Sequence, residues 1–356
     1  MSLRVVQFST GNVGRPALQA IIEHPDLELV GVHAASSAKI GKDAAELCGL
    51  DTPTGVIATD DVDALVALGA DCLLYTTQGE SRPQEALAEL TKFLEAGTNV
   101  VSTALVWMIY PPNADAWLRD PLAAACAQGG STMFVGGIDP GYSGDTLPFA
   151  ALSLCTRADH ILVQEICDYG SHDDAEFTGA SMGFGASPDA TPLMAIPGVL
   201  TSIWGGLVHL LADELGVEVD EIRERYEMWA TPEPIDCAMM RVEPGGVAAV
   251  RFAVDGVVGG EVRIVMEHVN RLGPDAAPDW PQAPERRPTT HRVVVQGEPG
   301  VEVNTHVGRP GLDHNVAGCI ATAARVVNAI PAVCAAAPGL ISTRDLPISL
   351  VRGLMR

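Results

Sequence analysis

Leu3-Arg4-Val5-Val6-Gln7-Phe8-Ser9-Thr10-Gly11-Asn12-Val13-Gly14-Arg15-Pro16 opens the chain as an apolar strand that empties into a glycine turn. A helix follows, with Pro16 in its first turn and Ala17, Leu18, Ile21 and Ile22 on one face. Such a βα unit lets a pyrophosphate approach the backbone N–H groups at a helix start, where the dipole favours negative charge. Ser9, Thr10, Gly11, Asn12, Val13 and Gly14 are therefore the expected dinucleotide contacts. In the G-x-G-x-x-G frame the first glycine is replaced by Ser9, and taken alone the fragment also fits an ordinary glycine turn. A second buried strand, Leu27 to Ala34, begins one βαβ unit later and favours the dinucleotide reading.

The end of that second strand selects the cofactor, because a carboxylate there binds the ribose 2′-hydroxyl of NAD and repels the 2′-phosphate of NADP. No Asp or Glu lies between Val30 and Lys42, while Ser36, Ser37 and Lys39 offer hydroxyls and a positive charge. NADP is expected, with NAD admitted, since a solvated loop that happens to lack acid would read the same way.

The 356 residues suggest two domains, and 47% hydrophobic content suffices for sizeable cores. A net charge of −23 argues against a nucleic-acid surface, which needs clustered Lys and Arg. Eight cysteines stand singly with no C-x-x-C pair, the pattern of reduced packing residues, and with no uninterrupted apolar run or leader the reading is cytoplasmic, without a membrane. No metal site is expected: His306 and His314 lack helical ligand spacing, and His209 lies amid Leu207, Val208, Leu210 and Leu211.

Further along, Asp71–Thr77 reads as a strand whose end, Thr76 and Thr77, faces the cofactor crevice, followed by a short-loop helix Pro83–Ala96. Asn99–Thr103 and Thr132–Gly137 read as further strands, with a helix Pro121–Gln128 between them. Thr103 and Ala104 join the expected cofactor contacts. Beyond about residue 155 the rhythm changes to consecutive strands: Ile161–Asp168, Cys237–Val242, Val247–Val254, Glu261–Asn270, His291–Gln296 and Val301–Thr305, with turns at 244–246, 255–256 and 299–300. Helices are expected over Val199–Leu215, Val219–Met228 and Val316–Ala329, and a surface excursion over Gly273–Pro288. The fold class is α/β: an N-terminal Rossmann-type doubly wound parallel sheet (1–150), an α+β domain with a mixed or antiparallel sheet (151–310) and a segment (311–356) that returns to the first domain.

Several pieces together resemble a known family: Gly11-Asn12-Val13-Gly14, Lys39 to Ala44, Asn99 to Thr103, Gly137 to Tyr142 with Asp145 and Pro148, and Pro338-Gly339 with Asp345-Leu346-Pro347. The chain is similar to the dihydrodipicolinate reductase-like proteins that include 2,4-diaminopentanoate dehydrogenase and the native amine dehydrogenases. The resemblance implies a Rossmann domain, a second domain that closes over it and dimerises, and NAD(P)-linked chemistry at a C–N bond. One departure stands out. Where the amine dehydrogenases of the family carry a proton-handling glutamate within two residues of Val-Ser-Thr, this chain reads Ala104-Leu105-Val106-Trp107-Met108-Ile109-Tyr110.

That apolar run either lines a pocket for a small hydrophobic substrate, with Leu105, Trp107, Met108 and Tyr142 as its walls, or packs into the core. Hydride transfer to a C=N or C=O carbon still needs a proton donor. Tyr110, Asp139 and His172 are the candidates, His172 with Asp173, Asp174 and Glu176 beside it; as plain structure they read as a packing aromatic, a turn residue and a solvated loop. Leu105 also predicts poor amination of simple ketones, improved by Leu105→Glu, and it leaves a catalytically silent Rossmann-type sensor as the alternative function. A homodimer is expected through an apolar face of the second sheet, from runs such as Val293-Val294-Val295 and Val262 to Met266.

Overall fold

The computed structural model describes residues 2–355, the side chains of Glu176 and Phe177 excepted, so that Glu176 of the expected polar group lies outside the described side chains. Two compact units emerge, Met1–Tyr142 with Cys319–Arg356, and Ser143–Gly318. The first begins with β1 (Leu3–Phe8), α1 (Gly14–Glu23), β2 (Leu27–His33), α2 (Ala44–Cys48), β3 (Ala58–Thr59), α3 (Val62–Val66) and β4 (Cys72–Tyr75). It continues through α4 (Pro83–Glu95), β5 (Asn99–Ser102), α5 (Ala116–Gly129) and β6 (Thr132–Val135). The α5 helix starts five residues before the expected Pro121. Leu118, Leu122, Ala125 and Cys126 bury one continuous stripe, and that packing holds the helix through a proline that removes one N–H.

The second unit holds α6 (Thr146–Leu152), β7 (Arg157–Asp168), α7 (Ala180–Met182) and α8 (Val199–Leu215), then β8 (Glu221–Ala230), β9 (Ile235–Asp236) and β10 (Arg241–Val242). It closes with β11 (Val247–Val258), β12 (Glu261–Arg271), β13 (Thr289–Glu298) and β14 (Val301–Thr305). Six strands form a mixed sheet in the order β14-β13-β7-β12-β11-β8, with β7 and β12 parallel and every other pair antiparallel.

Three sequence expectations fail here. The predicted helix Val219–Met228 is strand β8: Ile222, Glu224, Tyr226 and Met228 turn inward while Glu221, Arg223, Arg225 and Glu227 face out, a period of two that outweighs the helix propensity of Glu and Arg. Cys237–Val242 is not a sheet strand; its end pairs with Ile235–Asp236 in a separate two-stranded ribbon. The expected Asp255-Gly256 turn lies inside β11, where Asp255 accepts Arg225 Nε and Nη2 at 2.7 and 2.9 Å, and the chain turns instead at Gly259-Gly260, both at positive φ. The Gly273–Pro288 segment is the surface excursion expected, exposed at 274–275, 278–279 and 285–288, and a few contacts anchor it. Buried Arg271 donates to Ala276 O and Pro281 O, and Ala276, Ala277 and Ala283 join small apolar clusters.

The apolar runs expected to be left in water are also largely covered: Val293, Val295, Ile264 and Met266 are each at most 1% exposed. The facing positions carry ion pairs instead, Arg251 and Arg225 on Glu267 and Asp255.

The chain then runs through α9 (His314–Ala335) to β15 (Gly339–Ile341), which pairs with β6. The helix outlasts its expected end at Ala329 and passes through Pro331, because Val326, Val327, Ile330 and Val333 pack on Val5, Ile21, Leu74 and Val101 in the core of the first unit. By length and composition α9 alone among the described helices is apolar enough to cross a membrane, and these core contacts account for its apolarity. The first sheet is parallel throughout, in the order β15-β6-β5-β4-β1-β2-β3. Its order reverses between β1 and β4, which puts the ligand crevice of such a sheet at the carboxyl ends of those two strands.

Candidate active site

At the end of β1 the chain turns sharply. Ser9 adopts φ +84°, a conformation that glycine takes freely and other residues rarely, so the departure from the G-x-G-x-x-G frame falls on a residue that keeps the glycine geometry. Gly14 has no room for a side chain: a methyl there would lie 2.4 Å from Ser9 O and 2.9 Å from Thr76 Oγ1. Gly11 by contrast is exposed and open, with only Ser9 Oγ, at 3.8 Å, near where its methyl would stand. Among the described residues, no acceptor receives the N–H groups of Gly11, Asn12, Val13 or Gly14. An open glycine, a closed one and four unengaged N–H groups at a helix start fit a pyrophosphate.

The turn is braced from beneath by Gln7, a residue the sequence reading did not single out. Its Nε2 donates to Ser9 O at 2.9 Å and Thr76 Oγ1 at 2.8 Å, and Thr76 in turn donates to Phe8 O. From the side, Lys39 Nζ donates to Thr10 O at 2.9 Å, while Ser36 and Ser37 are exposed in the turn that Lys39 N closes on Ser36 O. Arg15, exposed in the first turn of α1, is a second cation on this rim. His33 ends β2 stacked on Phe8 at 3.8 Å, and burial holds its pKa below the usual histidine value.

The loop after β4 is anchored at both ends. Thr76 is tied to β1, and Arg82 donates to Tyr75 Oη at 3.1 Å and to Glu89 at 2.5 Å, while Tyr75 Oη donates to the same carboxylate. Burial first, and then Glu89, push the Tyr75 phenol far up. Thr77 and Thr103 are half-buried at neighbouring strand ends, Thr103 N donating to Tyr75 O and Ala104 N to Ser102 Oγ.

The run after β5 is mostly interior. Leu105, Met108, Ile109 and Tyr110 are at most 3% exposed, and half-buried Trp107 sits edge-on to Trp117. Leu105 adopts φ +58°, and a methyl on Gly79 would come within 3.0 Å of its Cδ2. The Tyr110 hydroxyl receives Arg344 Nη1 at 3.2 Å. Glu80, which the sequence reading did not single out, reaches this run: its Oε1 accepts Val106 N–H at 3.0 Å and its Oε2 accepts Gly79 N–H at 3.1 Å. Asp139 and Tyr142 are half-buried in the turn after β6.

In the second unit, His172 is half-buried and edge-on to Tyr169, its Nε2 4.0 Å from Asp174 Oδ2, and burial lowers its pKa. Asp174 itself accepts Thr178 Oγ1 at 2.8 Å, and Asp173 is exposed, so the expected group is only partly assembled. A more tightly held polar set, invisible in the spacing, lies across the sheet, where His291, Glu165, His268, Phe252 and Tyr226 fall in one register row. Glu165 accepts Asn270 Nδ2 at 2.9 Å and lies 3.9 Å from His291 Nδ1, and His268 stacks on Phe252.

Comparison with known proteins agrees with this fold. Residues 5–104 match the dihydrodipicolinate reductase N-terminus, and residues 200–355 match the 2,4-diaminopentanoate dehydrogenase C-terminal domain. An amine dehydrogenase of Streptomyces virginiae is 40% identical over 347 residues, covering 97% of this chain and 96% of that protein. The chain belongs to the dihydrodipicolinate reductase-like family. The 2,4-diaminopentanoate dehydrogenase of Acetoanaerobium sticklandii is 24% identical over 97% of this chain and 94% of its own length. The structure of an amine dehydrogenase from Mycobacterium smegmatis superposes with a TM-score of 0.78 at 19% identity, over 99% and 98% of the two chains. This family member is thus an oxidoreductase of the amine dehydrogenase and 2,4-diaminopentanoate dehydrogenase type, with an NAD(P)-binding domain, and the sensor alternative falls away.

Proposed function

We propose that the protein is an NADP(H)-dependent dehydrogenase that transfers hydride to or from the C=N or C=O carbon of a small hydrophobic substrate, acting as a cytoplasmic homodimer. The observation that carries the cofactor choice is Lys39 Nζ held on Thr10 O beside exposed Ser36 and Ser37, with no carboxylate on that turn. When bound, the nicotinamide supplies the hydride chemistry. The residues of this chain do the rest: the N–H groups of Gly11 to Gly14 hold the pyrophosphate, and Lys39, Ser36 and Ser37 hold the 2′-phosphate. Lys is a point-charge partner here, without the fork of Arg. The amine dehydrogenase of Streptomyces virginiae, by its name and its identity to this chain, favours a C–N bond as the site of reaction.

Fluorescence titration tests the cofactor. NADPH should bind more tightly than NADH, and Lys39→Ala should weaken NADPH by about five- to tenfold while leaving NADH unchanged, the scale of one partly exposed charge contact. Equal or tighter binding of NADH overturns the choice. Light scattering that returns the monomer mass at micromolar concentration overturns the dimer.

A further inference from the structure

The family resemblance places a carboxylate at position 105, where this chain has a leucine that is fully buried. Yet a carboxylate does reach that turn, from another strand end. Glu80 leaves the loop after β4 and closes on Val106 N–H, one residue beyond Leu105, at 3.0 Å. Its loop packs directly on the turn, since a methyl on Gly79 would lie 3.0 Å from both Ala104 Cβ and Leu105 Cδ2. Both ends of the loop are pinned, Thr76 to Phe8 O and Arg82 to Glu89 and Tyr75, which fixes where the carboxylate stands. Glu80 is half-buried, and each of its oxygens accepts one backbone N–H, which leaves a further lone pair on each for a ligand. The segment lies at the carboxyl ends of β4 and β5, beside the strand-order reversal where such sheets bind their substrates.

We propose that Glu80 is the proton acceptor for the substrate nitrogen, replacing the glutamate that Leu105 displaces; this rests on the dehydrogenase reading above. In the oxidative direction the Glu80 carboxylate takes one N–H proton from the alkylammonium and becomes a carboxylic acid, leaving the neutral amine. The C–H bond then breaks with its electron pair going to NADP⁺, while the nitrogen lone pair forms the C=N bond of an iminium ion. Water adds to that carbon, and the products are the carbonyl compound and ammonium. The reverse sequence aminates a ketone with ammonia, so the weak amination expected from Leu105 alone gives way to amination through Glu80.

Glu80→Gln keeps an oxygen for Val106 N–H, gives up only the Gly79 N–H contact and removes the base, so it largely separates proton transfer from loop capping. Steady-state oxidation of 2-aminobutane with NADP⁺ and ammonia-dependent oxidation of NADPH with 2-butanone should both fall about 10²- to 10⁴-fold, the usual contribution of a general base. The rise of kcat/KM on the acid side of its pH profile should disappear with it. Calorimetric binding of 2-aminobutane to the NADPH complex, which cannot turn over, should weaken at least tenfold, while NADPH affinity stays at the wild-type value and Tm falls by less than in Glu80→Ala. Adding Leu105→Glu to Glu80→Gln should restore turnover. Wild-type pH profiles and rates within threefold in Glu80→Gln overturn the assignment, as does a loss of Tm or NADPH affinity equal to that of Glu80→Ala without rescue by Leu105→Glu. A wild-type protein that binds NADPH but turns over neither 2-aminobutane nor 2-butanone with ammonia overturns the C–N dehydrogenase reading as well, so the two failures are told apart.

Discussion

Ser9 shows how a single position can keep a motif's geometry while losing its residue. Its φ of +84° costs a non-glycine residue about 1–2 kcal/mol. Ser9→Gly should therefore raise stability by up to about 1 kcal/mol, reduced from the full strain by the extra freedom glycine has when unfolded. Thermal unfolding measures this, and a fall in Tm would show that the serine side chain contributes more than its backbone costs. Gly11 and Gly14 were legible because their chemistry is local to a strand–turn–helix, and so was Lys39, which closes its own tight turn. Glu80 was not. Its partner is 26 residues away, in the turn after a neighbouring strand, and no spacing in the chain announces a contact made only where adjacent strands end.

At the scale of elements, the errors came where packing overrode local preference. Pro121 marks a helix start by rule, yet α5 carries it in its second turn because the Leu118 and Leu122 stripe is buried on both sides of it. Replacing this exposed proline supplies the missing N–H toward Trp117 O. Pro121→Ala should stabilise the protein by about 1–2 kcal/mol, the propensity gain less the lost stiffening of the unfolded chain. Denaturant titration with an unchanged m-value reads the gain, and a lowered midpoint would mean that the ring itself packs. Strand β8 makes the opposite case: Glu and Arg prefer helices, but their alternation with Ile222, Tyr226 and Met228 matches a half-buried strand, and pairing with β11 decides the outcome.

For the whole molecule, burial is the first cause that lowers the pKa of His24, His33, His160, His172 and His209. A histidine with a folded pKa below 6.5 binds fewer protons folded than unfolded, so the unfolded chain is favoured as the pH falls through that value. Stability should be full above about pH 7.5 and should drop steadily toward pH 5.5. Relief of repulsion among 45 acidic residues does not offset this, because carboxylates stay ionised over that range. Tm measured at pH 7.5, 6.5 and 5.5 should fall stepwise, and His209→Leu, on an otherwise apolar stretch of α8, should make the slope shallower. A flat or rising Tm on acidification contradicts the argument.

The sequence by itself determined the parallel nucleotide-binding sheet, the change of rhythm to a strand-rich second unit and the glycine turn, because each is written in short-range periodicity and in backbone geometry that few residues permit. Tertiary structure alone decided that β7 and β12 run parallel, that Pro121 and Pro331 sit inside helices, that Gln7 braces the turn, and that Glu80 meets Val106 while Glu165 lies between His268 and His291. Those outcomes depend on which strands become neighbours and on which faces exclude water. The free energy of such contacts belongs to pairs of residues far apart in the chain, and is set only when the sheets close.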